Sequence, residues 1–251
     1  MGSYDIFARL YDLEHRSFND DLALYHNYAQ RCDGPVLELG CGSGRVSVAL
    51  AQAGFDVVGV DNSASMLSIA RQRAAEGGVA GRVRFELGDV CTLDYERRFA
   101  LAVYPLNGFL HLLAVEDQLA ALGCARRALL PGGLLIVDLP NPHTVFAPAS
   151  DGVLSLRSRF QSPEGHSISC FASAQTDLAA QLQRLTLMFD EVAADGVVHR
   201  TTVETDLRFV YRFEMESLLR QAGFDVDGVH GTYDLDTYEA DSTIMLFVAH
   251  R

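Results

Sequence analysis

From residue 34 onward, short apolar runs alternate with stretches in which apolar residues recur every three or four positions. The runs predict strands at 36–40, 55–60, 82–87, 99–105 and 133–139. The periodic stretches predict helices at 45–53, 63–76 and 115–130. Gly77-Gly78 and Pro131-Gly132-Gly133 read as stops, and Ser63 as a cap for the second of these helices. Strand–helix alternation with continuously apolar strands implies a parallel, doubly wound α/β sheet with right-handed crossovers. Ligands of such sheets lie at the carboxyl ends of the strands.

The flanks follow other periods. In 1–33, Tyr4, Phe7, Ala8, Tyr11 and then Phe18, Leu22, Tyr25, Tyr28 are spaced for two amphipathic helices, with Asn19-Asp20-Asp21 as a cap for the second. Beyond Pro140-Asn141-Pro142 the pattern becomes β-like, with runs at 153–160, 166–174, 182–189 and 197–211. Ser162-Pro163-Glu164-Gly165 and Asp195-Gly196 supply turns, the latter a hairpin signal. Residues 211–251 return to a helix at 215–222 and strands at 226–231 and 243–250. The expected division is an N-terminal helical lid (1–33), a core (34–140 and 211–251) and an antiparallel β insertion (141–210). The insertion could wall a substrate pocket or pair subunits in a homodimer.

The densest signal is Val36-Leu37-Glu38-Leu39-Gly40-Cys41-Gly42-Ser43-Gly44-Arg45, a buried-strand pattern, three alternate glycines and a helix start. Glycine allows positive φ and close approach of a ligand to the backbone. A dinucleotide fingerprint spaces its glycines G-x-G-x-x-G, and here the third comes one position early. A P-loop needs a lysine, and all twenty basic residues are arginine. Asp61 ends the next strand, where a carboxylate can accept both ribose hydroxyls of NAD or of S-adenosylmethionine.

With Val57-Val58-Gly59-Val60-Asp61 following it, the stretch resembles motif I of the class I S-adenosylmethionine-dependent methyltransferases. The likeness covers 34–139 firmly, and 1–30 and 211–251 more loosely. It implies a Rossmann-like fold with a terminal antiparallel strand and S-adenosyl-L-methionine as cofactor. It further implies cofactor contacts from Tyr11, Gly40, Cys41, Gly42, Arg45, Asp61, Asn62, Met66, Asp89, Val90 and Leu106. Tyr4-Asp5-Ile6-Phe7-Ala8-Arg9-Leu10-Tyr11-Asp12 is similar to the family's helical lid. Tyr4, Tyr25, Asn107, His111 and His143 are the expected substrate-side residues, with His111 and His15 as candidate proton acceptors.

Blander readings stand beside several of these. Met66 could be core, Asp89 a turn carboxylate, His111 a helix-start histidine bonded to backbone, Arg45 a surface side chain and Cys41 a small residue that fits its turn. The strand-four end, Tyr104-Pro105-Leu106-Asn107-Gly108-Phe109-Leu110-His111, lacks the N-P-P-Y of amide or adenine methylation and the strand-end Asp of magnesium-dependent catechol methylation. It looks like the small-molecule enzymes of bacterial biosynthetic pathways. The expected acceptor is a nitrogen or oxygen, less readily a carbon, of a small, partly aromatic metabolite. Non-methylating use of the cofactor's charge, or binding without catalysis, are the alternatives.

Composition narrows the partners. A net charge of −13 argues against nucleic acid or an anionic membrane. No apolar run approaches the roughly 20 residues of a membrane span, and no secretory signal is visible at the N-terminus. Five scattered cysteines without C-x-x-C suggest reduced thiols, a cytoplasmic setting and no metal site.

Overall fold

A computed structural model describes residues 3–146 and 151–251; residues 147–150 of the expected insertion, and the first two residues, lie outside the described part. The elements run α1 (Ser3–His15), α2 (Leu22–Cys32), β1 (Val36–Leu39), α3 (Arg45–Gln52), β2 (Val57–Asp61), α4 (Ala64–Glu76), β3 (Val83–Leu87) and β4 (Phe99–Tyr104). A 3-10 turn (Gly108–His111), α5 (Val115–Ala128), β5 (Leu129–Pro140) and α6 (Pro142–Val145) follow. Then come β6 (Ser155–Gln161), β7 (Ser167–Asp177), β8 (Leu182–Val192), β9 (Val198–Arg208), α7 (Arg212–Gln221), β10 (Asp225–His230) and β11 (Ile244–His250).

Seven strands form the central sheet in the order β10-β11-β5-β4-β1-β2-β3. β1 pairs in parallel with β2 and β4, whereas β11 runs antiparallel between β5 and β10. The order reverses between β1 and β4, so the ends of these strands open a crevice at the start of α3. β1 and β4 are buried along their whole length because helices cover both faces. α5 and α7 with Phe209, Phe224 and Phe247 close one face; α2, α3 and α4 with Tyr25, Leu67 and Phe85 close the other.

A second, antiparallel sheet, β6-β7-β8-β9, carries the period-two run. One of its faces (Ile168, Cys170, Leu187, Phe189, Val203) buries Phe7, Leu10 and Leu13 of α1. The apolar stripe of α1 is therefore explained by this sheet, against which Phe7 stacks on Phe189 at 5.9 Å.

Two local expectations change and one holds. β5 begins at Leu129 and continues through Pro131-Gly132-Gly133, which had read as a stop; the register against β4 jumps there, so the extra residues bulge out instead of ending the strand. Asp21 precedes α2 but makes no capping bond, because Arg45 takes its carboxylate. Ser63 does cap α4, accepting from the Met66 N–H at 3.2 Å. No helix among the described residues is long and apolar enough to cross a membrane.

Candidate functional site

A cavity of about 440 Å³ opens at the carboxyl ends of β1, β2, β3 and β4. Its floor is the glycine turn. Gly42 has φ +52 and an added Cβ would meet nothing within 4 Å, so bare backbone faces the cavity. Gly44 has φ +76 and an added Cβ would sit 2.9 Å from Ala70 and Phe85, so this glycine serves helix packing as well as conformation.

Asp61 braces this turn. Its Oδ2 accepts the Gly42 N–H and its Oδ1 the Ser63 N–H, each at 2.8 Å. Burial pushes its carboxyl up from the usual range, against those backbone donors. Each oxygen keeps a lone pair for a further donor. Beneath the turn Glu38, 2% exposed, accepts from the Ser47 hydroxyl, and burial lifts its pKa to about 7. Cys41 is a buried thiol whose pKa burial raises well above the ordinary value, so it is not a thiolate nucleophile.

α1 roofs the cavity with Tyr4, Tyr11 and His15. Tyr11 and His15 stack at 4.2 Å, and the His15 Nδ1 lies 3.0 Å from the Tyr11 carbonyl. Burial lowers the His15 pKa. The roof is tied to α4 at two points. Asp5 accepts from the Ser63 hydroxyl at 2.6 Å, and Asp12 is ion-paired with Arg73, which also donates to the Ser43 carbonyl.

At the far end Tyr4 Oη and His111 Nε2 are 2.9 Å apart. Burial alone depresses the His111 pKa to about 4, so the ring is neutral near pH 7. Leu112, Leu113 and β9 residues Glu204, Thr205 and Asp206 complete that end.

The cavity thus gathers Tyr4, Tyr11, His15, Gly40, Cys41, Gly42, Arg45, Asp61, Asn62, Met66, Asp89, Val90, Leu106 and His111 from across the chain. Asp89 also takes the Cys91 N–H at 2.9 Å, so it is a turn carboxylate as well as a wall residue. Three expected residues lie elsewhere. Tyr25 is 0% exposed, its aromatic ring filling the interface of α2 with the sheet. His143 is exposed on α6 and lies against Tyr211 at 5.2 Å, because the chain turns away after β5. Asn107 is the left-handed residue before the 3-10 turn and is not among the residues that line the cavity. Arg45 reaches the cavity but is held in a bidentate pair with Asp21 at 2.5 and 2.6 Å.

Reading the sequence missed Glu38, Arg16, Arg73 and the Glu204–Asp206 wall as cavity residues. Glu38 stood beside the glycines in plain view. The β9 residues carried no signal beyond ordinary strand alternation.

Of the three arginines at the cavity, two are matched by aspartates. Five acids (Glu38, Asp61, Asp89, Glu204, Asp206) also line it. A cavity at a switch point, floored by a glycine turn and with an acid at the next strand end, has the chemistry that suits a cationic, adenosine-bearing ligand.

The comparisons with known proteins agree. Residues 36–133 match the methyltransferase domain family. The cypemycin N-terminal methyltransferase of a Streptomyces species is 30% identical over 216 residues, 86% of this chain and 82% of its own length. The glycine/sarcosine N-methyltransferase of Halorhodospira halochloris is 29% identical, covering 100% of this chain and 87% of its own. The structure of the CcbJ methyltransferase from Streptomyces caelestis is 25% identical and superimposes with a TM-score of 0.82 over 98% of this chain and 96% of that one. The chain belongs to the S-adenosylmethionine-dependent methyltransferases. S-adenosylmethionine is its cofactor.

Proposed function

We propose that this enzyme methylates an amine nitrogen of a small metabolite. When bound, S-adenosylmethionine supplies an activated methyl group on a sulfonium, for in-line displacement at carbon. The chain supplies alignment and a dry cavity. In this reading Asp61 accepts the ribose hydroxyls, Met66 and Val90 flank the adenine, and Asp89 accepts from its amino group. The bare backbone of Gly40–Gly44 and the Leu106 turn enclose the rest. Arg45 and Arg73 are already neutralised, and Arg16 has no carboxylate partner among the described residues, so Arg16 is the better partner for the cofactor's carboxylate.

The acceptor then lies between the Tyr4–His111 pair and the β9 wall, with the insertion acting as a substrate flap. The observation that carries the nitrogen assignment is His111. A side chain with a pKa of about 4 is a weak proton sink. It orients an acceptor by hydrogen bonding and gives little help to a hydroxyl that must lose its proton in the transition state. An amine enters neutral, attacks first and releases its proton afterwards. Glu204 suits the cation so formed, whereas Asp206 is paired with Arg184, and the relatives named above include an N-terminal methyltransferase and a glycine/sarcosine N-methyltransferase.

The test is a screen of small amines against phenols and alcohols of matched shape, read as S-adenosylhomocysteine release and as the mass gain of one methyl. The reading expects turnover among the amines. Turnover confined to phenols or alcohols would overturn it.

A further inference from the structure

The cavity wall contains a leucine in a backbone conformation that leucine avoids. β4 ends at Tyr104, and Leu106 and Asn107 follow with φ +44 and +65. For a side chain with a Cβ the left-handed region costs about 1–2 kcal/mol. A neighbouring strand must hold such a turn. The Leu106 N–H donates to Asp138 Oδ2, and the Asn107 N–H to the Asp138 carbonyl oxygen, both at 3.3 Å.

Asp138 is an odd residue for its place. It lies on β5 between Val137 and Leu139, is 2% exposed, and sits among strands that are otherwise apolar. Its Oδ2 also accepts the Tyr233 hydroxyl at 2.9 Å. The other ionisable groups facing it are Asp21, Arg45 and Tyr25. The Arg45 charge is committed to Asp21, so Asp138 has no cation of its own. A buried carboxylate without a counter-ion works against stability, and an apolar residue would serve the strand better.

Tyr233 ties the pair to the roof. Its ring meets Phe18 edge-on at 6.2 Å, and Phe18 lies under the Arg45 guanidinium at 5.1 Å in the segment joining α1 to α2. On the other side, the turn leads into Gly108, whose α-carbon is 3.9 Å from where a Cβ on Gly40 would stand. The Asp138 turn therefore abuts the glycine floor.

We infer that Asp138, together with Tyr233, is a positioning residue for cofactor binding: its carboxylate pins the Leu106–Asn107 turn so that Leu106 and Gly108 form the cavity wall. The inference rests on the cavity being the cofactor site. Its pH consequence follows from burial, which lifts the Asp138 pKa to about 6. Protonation leaves a weaker, uncharged acceptor for the Leu106 N–H. Binding favours the carboxylate, so affinity falls as pH drops through about 6.

The experiment is calorimetric titration with S-adenosylhomocysteine in half-unit steps from pH 8 to pH 5.5, with melting temperatures, on the wild type, Asp138→Leu, Asp138→Asn and Tyr233→Phe. At pH 8 we expect about tenfold weaker binding for Asp138→Leu and about threefold for Asp138→Asn. The asparagine variant should melt at or above wild type, because the buried charge is gone while an acceptor stays, whereas leucine strands the Tyr233 hydroxyl and the Leu106 N–H and should melt lower. In the asparagine variant a merely structural role would lower melting temperature and affinity together. Between pH 8 and 5.5 the wild type should lose more affinity than Asp138→Asn, which retains only the contribution of Glu38 and other groups. Tyr233→Phe removes a donor to the carboxylate and should move the midpoint of the wild-type loss to higher pH. If an Asp138 variant does not fold, this midpoint carries the test. Asp138 variants binding within twofold of wild type, or an unmoved midpoint, would overturn the inference. A folded wild type that binds no S-adenosylhomocysteine at either pH would remove the cofactor-site reading, and the inference with it.

Discussion

The neutrality of His111 can be measured as a stability that depends on pH. Its imidazole meets Tyr4 edge-on and lines the cavity wall, with no carboxylate bonded to it among the described residues. In the unfolded chain it titrates near 6.5, in the folded one near 4. Below pH 6.5 the unfolded state takes up a proton that the folded state refuses, so stability falls as pH drops through the window from 6.5 to 4. At 1.36 kcal/mol per pH unit the loss between pH 7.5 and 4.5 is about 2–2.5 kcal/mol. Glu38 and Asp138 run the other way: their folded pKa values, about 7 and about 6, exceed the unfolded ones, so their contribution grows as pH falls. The whole-protein curve mixes these, and a difference is needed. Urea unfolding of wild type and His111→Gln at pH 7.5 and 4.5 supplies it, since glutamine can still accept from Tyr4 and does not titrate. The variant should lose about 2 kcal/mol less stability than wild type over that interval. Equal losses in the two proteins, or an imidazole NMR signal with its midpoint near 6.5, would refute the claim that burial keeps His111 uncharged, and with it the argument for an amine acceptor.

Two glycines of one turn should respond differently to alanine. At Gly44 both the φ of +76 and the 2.9 Å approaches to Ala70 and Phe85 oppose a Cβ, so Gly44→Ala should cost more than about 2 kcal/mol, seen as a melting point lowered by about 4–8 °C. At Gly42 nothing within 4 Å opposes the Cβ, so Gly42→Ala should cost only about 1 kcal/mol of stability for its positive φ yet weaken S-adenosylhomocysteine binding in calorimetry, because the methyl enters the cavity. Asp12→Ala breaks the Arg73 tie of the roof; a charged, partly buried hydrogen bond of about 1.5–3 kcal/mol predicts an affinity at least fivefold lower and faster amide exchange over 3–15, and unchanged exchange would count against a latched roof.

The sheet and its floor were legible because their signals are local. Apolar runs marked β1 to β4, the three glycines marked the turn, and Ser63 marked the start of α4. The acid at the end of β2 was legible for the same reason, since strand end and ligand edge coincide in this fold. What escaped is set by partners distant in the chain. Helical spacing showed that Tyr25 sits on an amphipathic face but not that this face is interior. Arg45 follows the glycines as a cofactor-binding cation would, and only the fold brings Asp21 against it. His143 lost its expected place when the chain turned into α6, and the β9 wall came from a strand whose polar residues resembled any solvent face. Asp138 stood as one acid in an apolar run, and its meaning depends on a strained turn that no pattern announces.

The central claim is that the glycine turn and Asp61 form the S-adenosylmethionine site. Titrating the protein with S-adenosylmethionine, S-adenosylhomocysteine and NAD tests it most directly, on wild type, Asp61→Ala and Asp61→Asn. The asparagine variant keeps one acceptor for the Gly42 and Ser63 N–H groups. Binding of the first two ligands and not of NAD, about tenfold or more weaker in both variants while they remain folded, is the result expected from losing a charge-assisted contact. A folded wild type that binds neither S-adenosyl compound, or variants that bind as well as wild type, would contradict the account.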